Sequence, residues 1–294
     1  MYLGIDIGGT SVKWGVVDEE LNVLENSYFP TVKDSDYVLM DKISELINEK
    51  KEKYDITGVG MGFPGFVDNI NGIVYGADNI PFKSSRVRDY IEGKTGVSVS
   101  LDNDANCATL AEYSLNKKGK NMILLTLGTG VGGGIVIDGR LYRGKGGAGE
   151  IGHMTLIHKG RKCPCGRQGC FEQYASASAL TRMAREVVEQ KGGLIEGEKL
   201  DLSDINGKVI FDCFRRGSAD AAEIIDKYAS YLADGIESLI CIFDPDEIVL
   251  AGGITNEKDA LLGALYRHLP ENCPVRIAEL TSDAGFIGAA LLCK

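Results

Sequence analysis

Three cysteines crowd one glycine-punctuated stretch, Cys163-Pro164-Cys165-Gly166-Arg167-Gln168-Gly169-Cys170, with Glu172 just beyond it. Reduced thiols spaced C-x-C-x4-C with glycines at the bends are a metal-binding pattern. One imidazole added to three thiolates completes the closed tetrahedral set that a structural zinc ion takes. Two histidines lie within reach: His153, at the end of Gly147-Ala148-Gly149-Glu150-Ile151-Gly152-His153, and His158, nearer to Cys163; spacing leaves both open. Such an ion would pin the Glu150 and Glu172 loops into a rigid wall of carboxylates. Carboxylates accept paired hydrogen bonds from neighbouring hydroxyls, the directional contacts by which an uncharged polyol is recognised. The plainer readings are three buried thiols without metal and two solvated surface acids.

A second group of residues suits phosphate. Asp6-Ile7-Gly8-Gly9-Thr10 ends an apolar run with a carboxylate, two glycines and a hydroxyl, so backbone N–H groups can approach phosphate oxygens without Cβ interference, and Asp6 can hold Mg²⁺ through water. Taken alone it is also a plain hairpin. Its echo in Gly128-Thr129-Gly130-Val131-Gly132-Gly133-Gly134 favours a pair of phosphate loops. No complete G-x-x-x-x-G-K-S/T phosphate loop is present, since Gly93-Lys94-Thr95 has Arg88 in place of the first glycine, and the G-x-G-x-x-G spacing of Gly128, Gly130 and Gly133 leads into an expected strand rather than a helix, so the loops suggest ATP rather than a dinucleotide. In Leu101-Asp102-Asn103-Asp104-Ala105-Asn106 the pattern sets Asp104 at the N-cap of a short helix running to about Leu115, where the helix dipole keeps the carboxylate ionised. An ionised Asp within reach of a hydroxyl can take its proton as the oxygen attacks the γ-phosphorus, while Asn103 can bond neighbouring hydroxyls. The same Asp could be a cap and nothing more.

The elements that must position these residues follow from hydrophobic periodicity. Short apolar runs at 2–7, 12–17 and 23–29 predict a β-meander, 36–53 an amphipathic helix, and 56–61 a buried strand. A strand at 122–127, a glycine turn and a strand at 133–137 restart the same plan about 120 residues later. The apolar stripe of 219–242 predicts a long helix stopped at Asp244-Pro245, and the strand 247–251 runs into Gly252-Gly253, at a strand end where open α/β sheets hold ligands.

Length and composition allow this. The chain has 294 residues, 44% of them hydrophobic, with 38 glycines and 7 prolines, enough for two modest α/β domains. Its net charge of -10 opposes broad nucleic-acid or anionic-membrane binding. With eight cysteines but no signal-peptide pattern and no apolar run of about 18 residues, the expectation is a cytoplasmic protein with reduced thiols.

In order along nearly the whole chain, Asp6 to Thr10, Gly62-Phe63-Pro64-Gly65, Leu101 to Asn106, Leu127 to Gly134, Glu150 to His153 and the cysteines through Glu172 resemble the ROK family of repressors, open reading frames and kinases. The resemblance implies two ribonuclease-H-like α/β lobes of the actin and hexokinase type around a central cleft. It also implies ATP-dependent phosphorylation of a hexose, the 6-hydroxyl of glucose first. By it Asp104 is the general base, and Gly65, Asn103, Asp104, Glu150, His153 and Glu172 line the sugar site. ATP contacts Asp6, Gly8, Gly9, Thr10, Thr129, Gly130, Gly132, Gly133 and Gly134, with Gly252 and Gly253 near the adenosine. Zinc is held by His153, Cys163, Cys165 and Cys170, so that His153 serves metal and sugar through its two ring nitrogens. Family analogy adds a homodimer. ROK repressors carry a helix-turn-helix before the first strand; here Met1 abuts that strand, which favours a kinase with no nucleic-acid partner.

The expected lobes are 1–118 and 119–294, the C-terminal helix packing back onto the first, and residues 71–82 are expected near the sugar entrance. Other acceptors remain open, a β-glucoside such as cellobiose or N-acetylmannosamine, as do a sugar-sensing regulator without catalysis and a zinc-ribbon interaction module.

Overall fold

In the computed structural model, which describes residues 1–76, 80–115, 118–195, 197–280 and 282–294, the apolar runs become strands close to where periodicity sets them. β1 (Tyr2–Ile7), β2 (Ser11–Val17) and β3 (Val23–Pro30) form the meander; α1 (Asp36–Lys53) follows, then β4 (Gly58–Phe63). A small antiparallel sheet, β5 (Phe66–Asp68), β6 (Ile73–Gly76) and β7 (Ser85–Arg86), precedes α2 (Val87–Thr95), β8 (Val99–Asn103) and α3 (Asp104–Leu115). The main sheet has the order β3-β2-β1-β4-β8; β1 runs antiparallel to β2 and parallel to β4. Of the segment 71–82 expected near a sugar entrance, residues 77–79 lie outside the described residues.

The second half repeats the plan. β9 (Met122–Leu127), β10 (Val131–Ile137) and β11 (Arg140–Leu141) are followed by α4 (Glu172–Ala175), α5 (Ala177–Lys191), α6 (Gly207–Arg215) and α7 (Ala219–Phe243). Then come β12 (Glu247–Ala251), α8 (Lys258–Leu265), β13 (Val275–Ile277) and α9 (Ala284–Leu291). The order β11-β10-β9-β12-β13, with β9, β12 and β13 parallel, matches the first sheet strand for strand. Mixed α/β architecture is thus as the sequence indicates.

Contacts divide the chain into two compact units, one of residues 1–120, 134–149 and 279–294, the other of 121–133 and 150–278. A single cut near residue 119 therefore does not describe the packing, because the chain returns twice to the first unit. The last return is α9, and glycines explain its seat. Gly15, Gly4 and Gly60 are cross-strand neighbours on β2, β1 and β4. A Cβ at Gly4 would lie 1.8 Å from the Phe286 carbonyl oxygen, and one at Gly60 1.7 Å from that of Ala289, so this row is a trough that only bare backbone can make. Gly288 on α9 meets the Cys107 carbonyl of α3 equally closely. Buried Leu3, Ile5, Met61, Phe63 and Leu101 fill the other side of the sheet against Leu39, Ile43 and Ile47 of α1.

Candidate active site and cysteine cluster

In the first unit the residues proposed for catalysis gather at the strand ends of the sheet. Phe63 pairs with Asn103 at the ends of β4 and β8, and Asp104 opens α3. The helix cap differs from the expectation: it is Asn103, whose Oδ1 accepts from Ala105 N at 2.9 Å and Asn106 N at 3.2 Å, while Asp104 is the first helical residue. The Asp-Asn-Asp run offers three cap-capable side chains, and only the backbone path selects between them. Asn103 is further committed, since its Nδ2 donates to the carbonyl of Gly65 at 3.0 Å, and Gly65 itself sits at φ 83°. It therefore shapes the turn before it can serve a ligand. Asp104 Oδ1 accepts from Ala105 N at 2.8 Å, which orients the carboxylate at the positive end of α3.

Asp6 lies at the end of β1, paired in register with Lys13 and Gly62. Burial raises its carboxyl above the ordinary range and the Lys13 charge partly offsets this. Gly8 N donates to Ser11 O at 3.0 Å and Thr31 Oγ1 to Gly8 O at 2.6 Å, so the Gly8-Gly9-Thr10 turn is braced from behind.

In the second unit, Gly128 N bonds Gly130 O at 3.0 Å, closing a tight turn between β9 and β10, and Gly128 O accepts from Ala177 N at 2.9 Å, which ties that turn to the start of α5. Beside it is a cavity of about 480 Å³ lined by Gly128, Thr129 and Gly253 together with Lys208, Phe211, Asn256 and Glu257. That volume suits a small molecule. Gly252, at φ 109°, passes Leu127 so closely that a Cβ would lie 2.3 Å from its carbonyl oxygen. Lys208 and Phe211 on α6, with Asn256 and Glu257, were not singled out from sequence; the amphipathic pattern of α6 marks a helix, not its proximity to a glycine turn. Gly133 and Gly134 lie in β10 as the expected strand from 133 has them, Gly132 lies in it too rather than in the turn, and Gly134, with Thr109 part of the first unit, permits contact with that residue, whose Oγ1 would be 2.1 Å from a Cβ there.

The same unit holds the cysteine cluster. Cys163 N bonds Arg167 O at 2.9 Å and Gly166 N bonds Cys163 O at 3.0 Å, with Gly166 at φ 88° and Gly169 at φ 80° making the bends. Among the described residues, one ligand atom from each of His153, Cys163, Cys165 and Cys170 lies within 4.8 Å of the others, whereas His158 is not in the group. Cys163 Sγ is 3.7 Å from His153 Nδ1 and Cys165 Sγ is 3.6 Å from Cys170 Sγ. A tetrahedron with metal–sulfur bonds of about 2.3 Å has edges near 3.7 Å, so the donors fit zinc, while a disulfide at about 2.05 Å is ruled out by the separation. The Arg167 backbone N–H holds the Cys165 thiol down at about 6, and burial pushes Cys163 and Cys170 up. His153 also stands between acids: Nε2 is 3.9 Å from Glu150 Oε2 and Nδ1 is 3.8 Å from Glu172 Oε1. Cys163 Sγ–H donates to Glu172 Oε1 at 3.0 Å, and a Cβ at Gly130 would lie 2.5 Å from Glu172 Oε2, so glycine turn, acid and cluster meet.

A sequence model of the ROK family matches residues 2–294. The chain belongs to the ROK family. It is 36% identical to a glucokinase of Halalkalibacterium halodurans, over all of this chain and 94% of that protein. It is 33% identical to an N-acetyl-D-glucosamine kinase of Haemophilus influenzae, covering 99% of each. Among solved structures, the ROK family glucokinase of Streptomyces griseus in complex with glucose and AMPPNP aligns with a TM-score of 0.82 at 34% identity, over 99% of this chain and 98% of that one. The ROK fold and family read from the ordered motifs are those observed.

Proposed function

We propose that this protein transfers the γ-phosphoryl group of ATP to a hydroxyl of a hexose, glucose foremost. The observation that carries the reading is Asp104 at the head of α3, fixed by the Asn103 cap and its hold on Gly65, in a chain whose full-length relatives include glucokinases. Phosphoryl transfer asks little covalent chemistry of a protein; it asks that an acceptor oxygen be aligned and relieved of its proton while phosphate charge is neutralised. In this reading Asp104 accepts the proton of the attacking hydroxyl, and Gly65, Asn103, Glu150, His153 and Glu172 hold the other hydroxyls. Gly8 to Thr10 and Thr129 to Gly130 receive the phosphates, Asp6 holds Mg²⁺ through water, and the cavity beside Gly253 takes the nucleoside.

Zinc is a structural part of this proposal. His153, through Nδ1, and Cys163, Cys165 and Cys170 would hold it, and a bound ion supplies no more than a fixed anchor for the adjoining loops. What the chain's own residues do is then defined: His153 keeps Nε2 toward Glu150, and Glu172 is held beside the Gly130 turn. Relatives that phosphorylate N-acetyl-D-glucosamine favour that sugar as the second acceptor. An ADP-release assay over glucose, N-acetylglucosamine, N-acetylmannosamine, mannose, fructose, allose and cellobiose tests the reading. Sugar-dependent ADP release with glucose highest is expected; none with any member would refute it.

A further inference from the structure

Asp102 is 3% exposed and lies two residues before Asp104. Its Oδ1 accepts from Asn103 N at 2.8 Å and Asn106 Nδ2 at 2.8 Å, and its Oδ2 meets Arg143 Nε at 2.5 Å. Arg143 stands where β11 gives way to the glycine-rich loop 144–149, and its own carbonyl accepts from Gly146 N at 2.7 Å and Ala148 N at 3.2 Å. One residue thus grips the turn bearing Asp104 with its side chain and the glycine loop with its backbone. The residue that follows this loop is Glu150.

A carboxylate taken from water needs its charge compensated, and any nearby cation could do that. Arg143 offers more, because its planar guanidinium is directional and its backbone is part of the loop. Four glycines in the six residues of that loop leave it little stiffness of its own, so its path depends on where it is tied.

We propose that Arg143 is a positioning residue for the sugar: it locks the turn that carries Asp104 to the stem from which Glu150 projects. The inference rests on the sugar-kinase reading and names a residue that the motifs of the chain do not mark. Its loss should weaken sugar binding and leave the nucleotide cavity beside Gly253 alone.

Arg143→Met by itself strands Asp102 as an unpaired buried charge and would lower stability whatever Arg143 does. The deciding variant is Asp102→Asn/Arg143→Met, in which charge and partner leave together, with Arg143→Lys beside it as the form that keeps the charge but loses the fork. Steady-state kinetics and thermal melting are measured on all three and on the wild type. The double variant is expected to melt near the wild type while its sugar KM rises about tenfold or more and its ATP KM holds, with Arg143→Lys intermediate. A sugar KM restored to the wild-type value in the double variant, or unchanged in Arg143→Lys, would reduce Arg143 to a counter-ion and overturn the proposal. Hydrogen exchange on the unliganded proteins reads the same claim without activity: Gly146 and Ala148 amides should exchange faster in the variants, and unaltered protection overturns it. A wild type inactive on every sugar would sink the kinase reading instead, and the exchange result would still decide whether Arg143 holds the loop.

Discussion

Asp104→Asn replaces one carboxylate oxygen by an amide nitrogen at the first helical position of α3 and leaves the shape of the side chain alone. The fold should barely register it. The cap bonds belong to Asn103, and the bond from Ala105 N to Asp104 Oδ1 can be kept by the amide oxygen of Asn. What is lost is the charge at the helix N-terminus, about 0.3–1 kcal/mol. In a protein of this size that is a melting shift of no more than about 4 °C. Turnover should suffer far more: a positioned general base contributes about 10²–10⁴-fold, or about 3–5 kcal/mol of barrier. The matching control is Asn103→Ala, which removes the cap, costs about 1 kcal/mol, and frees the Gly65 carbonyl. Stability and activity should therefore be inverted between the two variants, with Asp104→Asn the more stable and the less active of the pair. Kinetics by ADP release, sugar affinity by calorimetry and melting by scanning fluorimetry give all three quantities. Turnover in Asp104→Asn within about tenfold of the wild type, or a loss accounted for by failed sugar binding, would remove Asp104 from the role of base.

Purified protein should carry one zinc per chain by elemental analysis, and Cys170→Ser should lose it; equal zinc in both would refute the ligand set. Gly60→Ala should destabilise by about 3 kcal/mol, the upper end of overpacking costs, because the new methyl would sit 1.7 Å from a backbone oxygen of α9. A urea-melt difference under about 1 kcal/mol would show that the helix can step aside. Glu25 is held at about 2, below its ordinary 4.5, first by Lys50 and then by Lys53 and Tyr54. A depressed value in the folded state stabilises fully above about 4.5 and fades as pH falls toward about 2. Glu25→Gln should thus melt below the wild type at neutral pH, with the gap closing across that acid window; a constant gap would contradict the Lys50 pairing.

Much of the candidate site was legible because the chemistry proposed for it demands short, local patterns. Glycine turns at strand ends, a carboxylate at a helix start and thiols spaced around glycines are each written within ten residues, and their order identified the family. The strands of the two sheets were legible for the same reason, since period-two apolar runs need no distant partner to be seen. His153 and His158, however, are indistinguishable by spacing. The choice between them falls to the backbone at Ile151–His153, which brings one imidazole to the thiols.

Tertiary structure alone decided what lies far apart in sequence. The Asn103 cap depends on the carbonyl of Gly65, and the hold of Asp102 on Arg143 spans forty-one residues with nothing in either segment to announce it. Gly4, Gly15 and Gly60 read as ordinary strand glycines until a helix from the far end of the chain is laid across them. Likewise Gly134 reads as part of a phosphate loop until Thr109 is seen beside it. The residue types that do chemistry were set by sequence, because hydrogen-bonding and metal-binding capacities are properties of single side chains. Which of them are free to do it was set by packing, because each bond a polar group makes to a distant neighbour is one fewer that it can offer a ligand.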